Sequence, residues 1–510
     1  MANTNKLMKS LVTVIAITTS AMVMIAGCIN PRQESGTSPS PPGDLTAIEF
    51  EGDYPTAETT ANLDRYQDFS FATTIAFWAQ PFMESALINE VISRDFEVEN
   101  NTAFIFDQRI QPGQEMPLTP NKSVVYMWSI IDLSEGGPIV IEVAPNVLGA
   151  FWDMWQRGTE DPGIIGPDQG KGGKYLVLPP GYQGEVPDGY FIIRAHSNLN
   201  NFVQRGYVTE DFTQAQATAH LLEHTPIYPL EEAGERPELV YTLMGTEPFR
   251  QDRPTGMAWW RMLKKYLDKE VVDQRDRSMY GLLAALGIQK GMPFEPDDRL
   301  TQILIEAERV GTAMVANTSW NFRAERIGME TQRWPGQRQW ENVFFFDGIQ
   351  ENADYTPVFE RGFFTWQAYG QQKFWKPFEV VLGRSTNASL ATRDATGAYL
   401  NGSDTYRLHI PPNVPVANFW ALTVYDVLTR GVLENESGRF EVSSASGGFE
   451  TNPDGSVDLY VGPELPEGIP EGNWIQSVRD RGWFTYFRFY GVLEPYVSGE
   501  WVLDDFEKVK

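Results

Sequence analysis

Between Leu63 and Ser93 apolar residues recur at helical intervals, with Pro81 inside the run, and the spacing predicts one or two helices broken or kinked at that proline. The period changes at Val124. VVYMWSIIDL, PIVIEVAP, KYLVLPP and GYFIIRAH are short β-branched and aromatic runs cut by Gly and Pro, and they predict strands. From about Asp211 to Trp320 the helical period returns in DFTQAQATAHLLEH, TGMAWWRMLKKYLDKE, MYGLLAALGI and RLTQILIEAERVGTAMVAN. From about Phe344 onward strands dominate again in TYRLHIP, FWALTVYDV, VDLYVGP and WFTYFRFYGV, with Asp-Gly in NPDGSVD as a hairpin cue. Strands this short, divided by turn residues, favour antiparallel sandwiches over a parallel sheet.

Within WFTYFRFY, Trp483, Thr485, Phe487 and Phe489 alternate with Phe484, Tyr486, Arg488 and Tyr490. A strand puts the two sets on opposite faces, and neither face suits open water. The first set should enter a core. The second should be covered by a helix or by the N-terminal region, with Arg488 paired to an acid. These patterns divide the chain into an N-terminal β-sandwich domain with leading helices (45–230), a helical module (231–345) and a C-terminal β-sandwich domain (346–510). The expected class is mainly β with helical insertions, an α+β chain.

The N-terminus adds a destination. Lys6 and Lys9 precede the uncharged stretch Leu11 to Ile25, and Ile25-Ala26-Gly27-Cys28 follows with the single cysteine of the chain. This is the pattern of a bacterial lipoprotein signal peptide over residues 1–27, with the Cys28 thiol as the group that receives the lipid. The apolar run falls short of the ~20 residues of a spanning helix, so the expected membrane contact is the lipid anchor. Residue 29 is isoleucine and not the aspartate of an inner-membrane retention signal, which predicts outer-membrane sorting in a Gram-negative cell. Residues 28–44 form the lipidated N-terminus and a Pro/Ser/Gly tether, PRQESGTSPSPPG. With one cysteine, and that one acylated, no disulfide is expected.

Charge narrows the partners. A net charge of -27, from 41 Lys+Arg against 68 Asp+Glu, excludes a nucleic-acid footprint. The 42% of hydrophobic residues supply large cores. A homo-oligomer is compatible with the sequence, and no cofactor is implied.

HLLEH (His220 to His224) has the order of an inverted zinc peptidase motif, and Glu306 or Glu308 could be offered as a distant third ligand. Thr225-Pro226 follows at once, however, and the residue before a proline is pushed out of the α region. The helix should therefore end at the motif, leaving His224 in a solvated last turn, where it suits the dipole; no metal site is expected. GPDQGKGGKY (Gly166 to Tyr175) lacks phosphate-loop spacing and reads as a mobile glycine loop feeding the strand KYLVLPP. There is no G-x-S-x-G elbow. His196 and His409 lie singly on β patterns and read as hydrogen-bonded wall residues. Asp132, Glu142 and Glu494 are the carboxylates weighed for glycosidase chemistry, which depends on their separation. The fifteen tryptophans are mostly core in a chain with thirty phenylalanines.

Taken together, TPNKSVVYMWSIIDLSEGGPIVIEVAP (Thr119 to Pro145), GPDQGKGGKYLVLPPGYQGEVPDGYFIIR (Gly166 to Arg194) and IYPL resemble domain-of-unknown-function family 1254. LNGSDTYRLHIPPNVPVANFWALTVYD (Leu400 to Asp426), NPDGSVDLYVGP, NWIQSVRDRGWFTYFRFYG and LEPYVSGEW resemble its companion, family 1214. The resemblance implies two jelly-roll-like antiparallel β-sandwiches with a helical module between them, and it supplies no reaction. The family pattern Pro-Asn-x-Asp-Thr-x-Tyr is altered here: Pro120, Asn121 and Tyr126 remain, with Ser123-Val124 in place of Asp-Thr. The binding candidates are Asn121, Tyr126, Asp132, Trp420, Tyr425, Arg488 and Glu494. The sequence thus points to an exported, lipid-anchored envelope protein acting as a binding or structural component. The runner-up is a carboxylate-dependent hydrolase of glycans or other small extracellular substrates.

Overall fold

Thr56 opens the first helix: its hydroxyl accepts the Thr59 N–H at 3.2 Å, and α1 runs Ala57–Trp78. In this computed structural model, residues 48–509 are described apart from 136, 209–211, 236, 344–346, 371 and 374–379. The expected signal peptide, Cys28 and the expected tether lie outside the described residues. Pro81 falls in the first turn of α2 (Gln80–Phe96), where a missing N–H costs nothing, so the expected break sits between these two helices. Helix α3 (Gln214–His224) begins with a capping box between Thr213 and Gln216 and ends ahead of Thr225-Pro226, as the proline dictates. Then come α4 (Met257–Lys269), α5 (Arg277–Ala285), α6 (Asp298–Trp320), α7 (Val358–Gln367) and the single turn α8 (Glu494–Val497). Helices α1 and α6 approach closely because residue 311 is glycine. A Cβ there would lie 2.5 Å from that of Ala76 and 3.0 Å from the Thr73 carbonyl oxygen.

The first half of the chain builds two sheets. One has six strands in the order Tyr241–Leu243, Ala103–Ile105, Val124–Asp132, Leu199–Tyr207, Leu148–Asp153, Gly158–Glu160; the other has four, Ile227–Pro229, Ile139–Val143, Gly173–Leu178, Phe191–Arg194. The last third builds two more: Glu341–Asn342, Thr386–Ala391, Trp483–Val492, Val416–Asp426, Glu441–Ser443, and Trp474–Gln476, Val457–Gly462, Tyr406–Ile410, Glu507–Lys508. Most pairings are antiparallel, and no sheet is closed or strongly curled. The chain is mixed α+β, with 27% helix and 25% strand. Helix matches strand in extent because α1, α2 and α6 are long. The segment 231–345 also places one edge strand in a sheet of each half.

Alternation along the long strands decides what packs where. In Val124–Asp132, Val125, Met127 and Ile131 join Ile139, Ile141, Tyr175 and Val177 of the four-stranded sheet in one core. Val124, Tyr126, Trp128 and Ile130 face the other way, into a second core built by the helices and the C-terminal sheets. Both faces of Trp483–Val492 are buried as well. Phe487 stacks on Trp420 at 5.4 Å and Trp483 meets Tyr406 of the next sheet, while on the opposite face Phe484 meets Trp320 of α6.

Polar pairs bind distant segments. The Glu84 carboxylate of α2 accepts from Arg253 Nη2 at 3.0 Å and from Arg430 Nη1 at 3.4 Å, all three side chains lying largely inside the protein. Two loop expectations are corrected. Asp454-Gly455 does close a turn, with Asn452 N–H on the Ser456 carbonyl at 2.8 Å, but the strand that follows pairs with Tyr406–Ile410 and not back across the turn. The loop from Gly166 to Tyr175 feeds its strand but is tied down: Asp168, 3% exposed, accepts from Gly163 N–H at 2.7 Å, Gly172 N–H at 3.1 Å and the Tyr175 hydroxyl at 2.5 Å.

Candidate functional site

The outward face of the six-stranded sheet and one face of the five-stranded sheet enclose a cavity of about 130 Å³. The first contributes Tyr126, Trp128, Trp152 and Arg205, and the second Thr386, Ala388, Tyr486 and Arg488; the segment Pro117–Thr119, Asn121 and the chain after α7 close the sides. Strand register sets this arrangement. Arg205 pairs directly with Tyr126, and Ala388 with Arg488, so each guanidinium stands beside a chosen neighbour.

Among the described residues the hydrogen bonds of Arg488 all go to oxygen atoms, and its guanidinium lies over the Tyr486 ring at 5.0 Å. Nη1 donates to the Tyr425 hydroxyl at 2.5 Å and to Thr423 Oγ1 at 3.2 Å, and Nη2 donates to the Thr119 carbonyl at 2.6 Å. Thr119 is a β-branched residue at φ 45°, a conformation that costs on the order of 1–3 kcal/mol. It is kept there by that bond and by its own N–H on the Arg430 carbonyl at 3.0 Å. Tyr425 in turn donates to the Pro120 carbonyl at 2.7 Å. The expected acid partner of Arg488 is not present: no ion pair among the described residues involves Arg488 or Arg205. The carboxylate of Glu441 reaches Arg488 only through the Thr423 hydroxyl, which donates to it at 2.8 Å. Burial opposes the charge of Arg488, but the phenol oxygens of Tyr425, Tyr490 and Tyr126 outweigh it and raise its pKa. Among the described lining residues there is no aspartate or glutamate.

Asn121 and Tyr126 form the other polar corner. The Ser123 N–H donates to Asn121 Oδ1 at 2.9 Å, which fixes the amide and turns Nδ2 toward the Tyr126 hydroxyl at 3.0 Å. The Tyr126 oxygen is therefore an acceptor in that bond, and its own hydrogen has no acceptor among the described residues. Burial raises the phenol's pKa, so the hydrogen stays in place at neutral pH. Trp152 Nε1 is buried without a partner. The corner thus holds surplus donors; the nearest described carboxylate, Glu441, sits behind it, accepting from the Ser123 hydroxyl at 3.4 Å and the Lys122 N–H at 3.3 Å, and does not line the cavity.

Of the candidates named from sequence, Asn121, Tyr126 and Arg488 line this cavity, and Tyr425 stands one hydrogen bond behind it. Trp420 does not: it lies in the core on the opposite face, against Phe487 and Phe449. Asp132 ties a turn, accepting from Asn100 Nδ2 at 3.0 Å and the Ser134 hydroxyl at 2.6 Å. Glu494 is an exposed first-turn residue of α8. Glu142 accepts from the Tyr228 hydroxyl at 2.7 Å. Arg205, Trp128 and Trp152 were missed; the one charged residue in the strand LNNFVQRGY, which is otherwise uncharged, was the available signal for the first. In HLLEH, His220 Nε2 meets the Pro145 carbonyl at 2.8 Å and His224 Nδ1 the His220 carbonyl at 2.9 Å. His409 pairs across strands with Asp458 at 2.8 Å. A larger open groove of about 800 Å³ is rimmed by acids, among which Asp426, Glu464 and Glu115 pair with Arg481, Arg479 and Arg250.

Residues 100–229 match the family model described as "Protein of unknown function (DUF1254)", and residues 386–494 match "Protein of unknown function (DUF1214)". The chain carries a DUF1254 region followed by a DUF1214 region, in the order the sequence segments indicated. No curated protein matches. Among solved structures, the VPA0106 protein from Vibrio parahaemolyticus is similar over 87% of this chain and all of its own, at 17% identity and a TM-score of 0.54. An uncharacterized protein from Burkholderia cenocepacia aligns over 89% of this chain and 97% of its own, at 11% identity and a TM-score of 0.39.

Proposed function

We propose that the protein is an exported, lipid-anchored binding component of the bacterial envelope that holds a small molecule between its two β-rich halves. The carrying observation is the cavity itself, a partly open cleft lined by residues of both halves that presents aromatic residues around a few oriented donors, the usual make-up of a ligand site. Hydrolysis by a carboxylate pair is the weaker reading for this cavity, because no described acid lines it and its volume is far below a sugar chain's. We further read each half as a jelly-roll-like sandwich of two facing sheets. The shared core of the six- and four-stranded sheets supports this for the first half.

Two experiments test the proposal. Cys28→Ser should abolish acylation, since serine cannot form the thioether; intact mass and membrane fractionation decide it, and an unlipidated wild-type protein ends the anchor reading. For the cavity, thermal unfolding is followed with toluene, phenol, benzamide and benzoate. At least one should raise the wild-type midpoint, and none should raise that of Ala388→Phe, which fills the space. A wild type indifferent to all four overturns the ligand-site reading.

A further inference from the structure

Resting on the reading of the cavity as a ligand site, the geometry points to its ligand class: a monocarboxylate whose apolar body is no larger than about one aromatic ring. Three observations converge. Arg488 uses three of its five N–H donors on Tyr425, Thr423 and Thr119, leaving Nε and one Nη2 hydrogen without an acceptor among the described residues. The Tyr126 hydrogen is free for the reason fixed by Asn121 and Ser123, and the Arg205 guanidinium stands beside it across the strand pair. Trp152, another lining residue, carries a buried Nε1–H with no partner among the described residues. Two cationic residues and a tyrosine with a free hydroxyl hydrogen thus line one space that holds no described acid, in a chain of net charge -27. A buried polar group without a partner is costly, so the surplus calls for an acceptor that carries negative charge. A carboxylate meets a guanidinium in the plane of both groups and has oxygen lone pairs left for a phenol hydrogen.

The size and the walls narrow the class further. A cavity of about 130 Å³ is close to the ~150 Å³ that accommodates benzene in another protein. Trp128, Trp152 and Tyr369 are among the lining residues, and aromatic walls make contacts that C–H groups satisfy and that a bare phosphate or sulfate would leave empty. Arg488 and Arg205 therefore take the carboxylate, Tyr126 orients it, and the aromatic side takes the body.

Titration calorimetry on the full-length protein tests this with benzoate as the probe and benzamide as its neutral isostere. Inorganic phosphate is the apolar-free anion. Benzoate should bind one per chain, at least tenfold tighter than benzamide or phosphate. Arg205→Gln should weaken benzoate at least tenfold; this side chain makes no ion pair among the described residues, and an unchanged thermal midpoint of the variant without ligand shows that the loss is one of binding. Tyr126→Phe, which removes only the hydroxyl, should weaken benzoate and leave benzamide within a factor of about three. Benzamide binding as tightly as benzoate overturns the carboxylate and leaves the ligand site standing. Phosphate binding as tightly as benzoate overturns the apolar body. Benzoate binding that ignores both substitutions lies elsewhere and overturns the inference. Absence of binding by every probe, toluene and phenol included, overturns the ligand site itself.

Discussion

Glu84→Gln is expected to cost about 3–5 kcal/mol, the usual penalty for breaking a buried charge network from one side. Glu84 is 2% exposed. Its Oε1 accepts from Gln80 Nε2 at 2.7 Å, Arg253 Nε at 3.2 Å and Arg430 Nη1 at 3.4 Å, and its Oε2 from Arg253 Nη2 at 3.0 Å. One carboxylate therefore serves two guanidiniums. Burial already draws the Arg430 pKa down to about 10, with Arg253 adding to the fall, even while Glu84 is charged. Glutamine keeps the volume and one acceptor oxygen, so the loss reports the charge. Urea unfolding followed by tryptophan fluorescence should show a midpoint lower by about 1–2 M for a slope near 3 kcal/mol/M. The pH dependence is a second check. Burial alone would raise the pKa of Glu84, but Arg253 and Arg430 outweigh it and the pKa lies below the ordinary value. A group depressed in the folded state stabilises fully above its unfolded pKa, ~4.3, and loses that contribution as pH falls through the folded pKa. The gap between wild type and Glu84→Gln should then be widest at neutral pH and shrink in acid below ~4.3. Equal midpoints at pH 7, or a gap that does not close in acid, would refute the reasoning.

Phe487→Ala should cost ~3–5 kcal/mol, because the ring is fully buried, stacked on Trp420 and in contact with Phe489 at 4.9 Å; an unchanged denaturant midpoint would contradict the two-faced burial of this strand. Glu270 behaves in the opposite sense to Glu84: burial lifts its pKa to about 7 against the Leu199 and Asn198 N–H groups that hold it. Its folded pKa exceeds the unfolded ~4.3, so this group makes the protein less stable as pH rises from about 4.3 to 7. Glu270→Gln should flatten that slope in urea midpoints taken at pH 5 and pH 7.5, and an unaltered slope would count against it.

Local rules read well from the chain. Pro81 placed a helix boundary and Thr225-Pro226 ended α3 at His224, both consequences of one residue's backbone. The alternation in WFTYFRFY gave two buried faces. Tyr126, Asn121, Tyr425 and Arg488 were named from sequence and do meet at one place. Their meeting, however, depends on register between strands far apart in the chain, which periodicity does not encode. That is why Arg488 found the Thr119 carbonyl and a phenol where an acid was expected. The Glu84–Arg253–Arg430 cluster was illegible for the same reason: Arg253 and Arg430 lie 169 and 346 positions beyond Glu84, and no local pattern names a partner at that distance. Trp420 was legible by contrast: it lies five residues from Tyr425 on the same strand, an odd spacing that alternation alone puts on the opposite face, here into core.

The ion cluster around Glu84 also sets an order of events during synthesis. Arg430 lies 346 positions beyond Glu84. At roughly 5–20 residues per second a ribosome needs on the order of 20–70 s to deliver one after the other. Over that interval Glu84 can find Arg253, but its second cation does not yet exist, and the outward face of Val124–Asp132 awaits the C-terminal sheet that will cover it. The chain therefore cannot reach its final packing while most of it is still being made. The core that joins Val125, Met127, Ile141 and Tyr175 draws only on residues 103–239, so it does not share this wait.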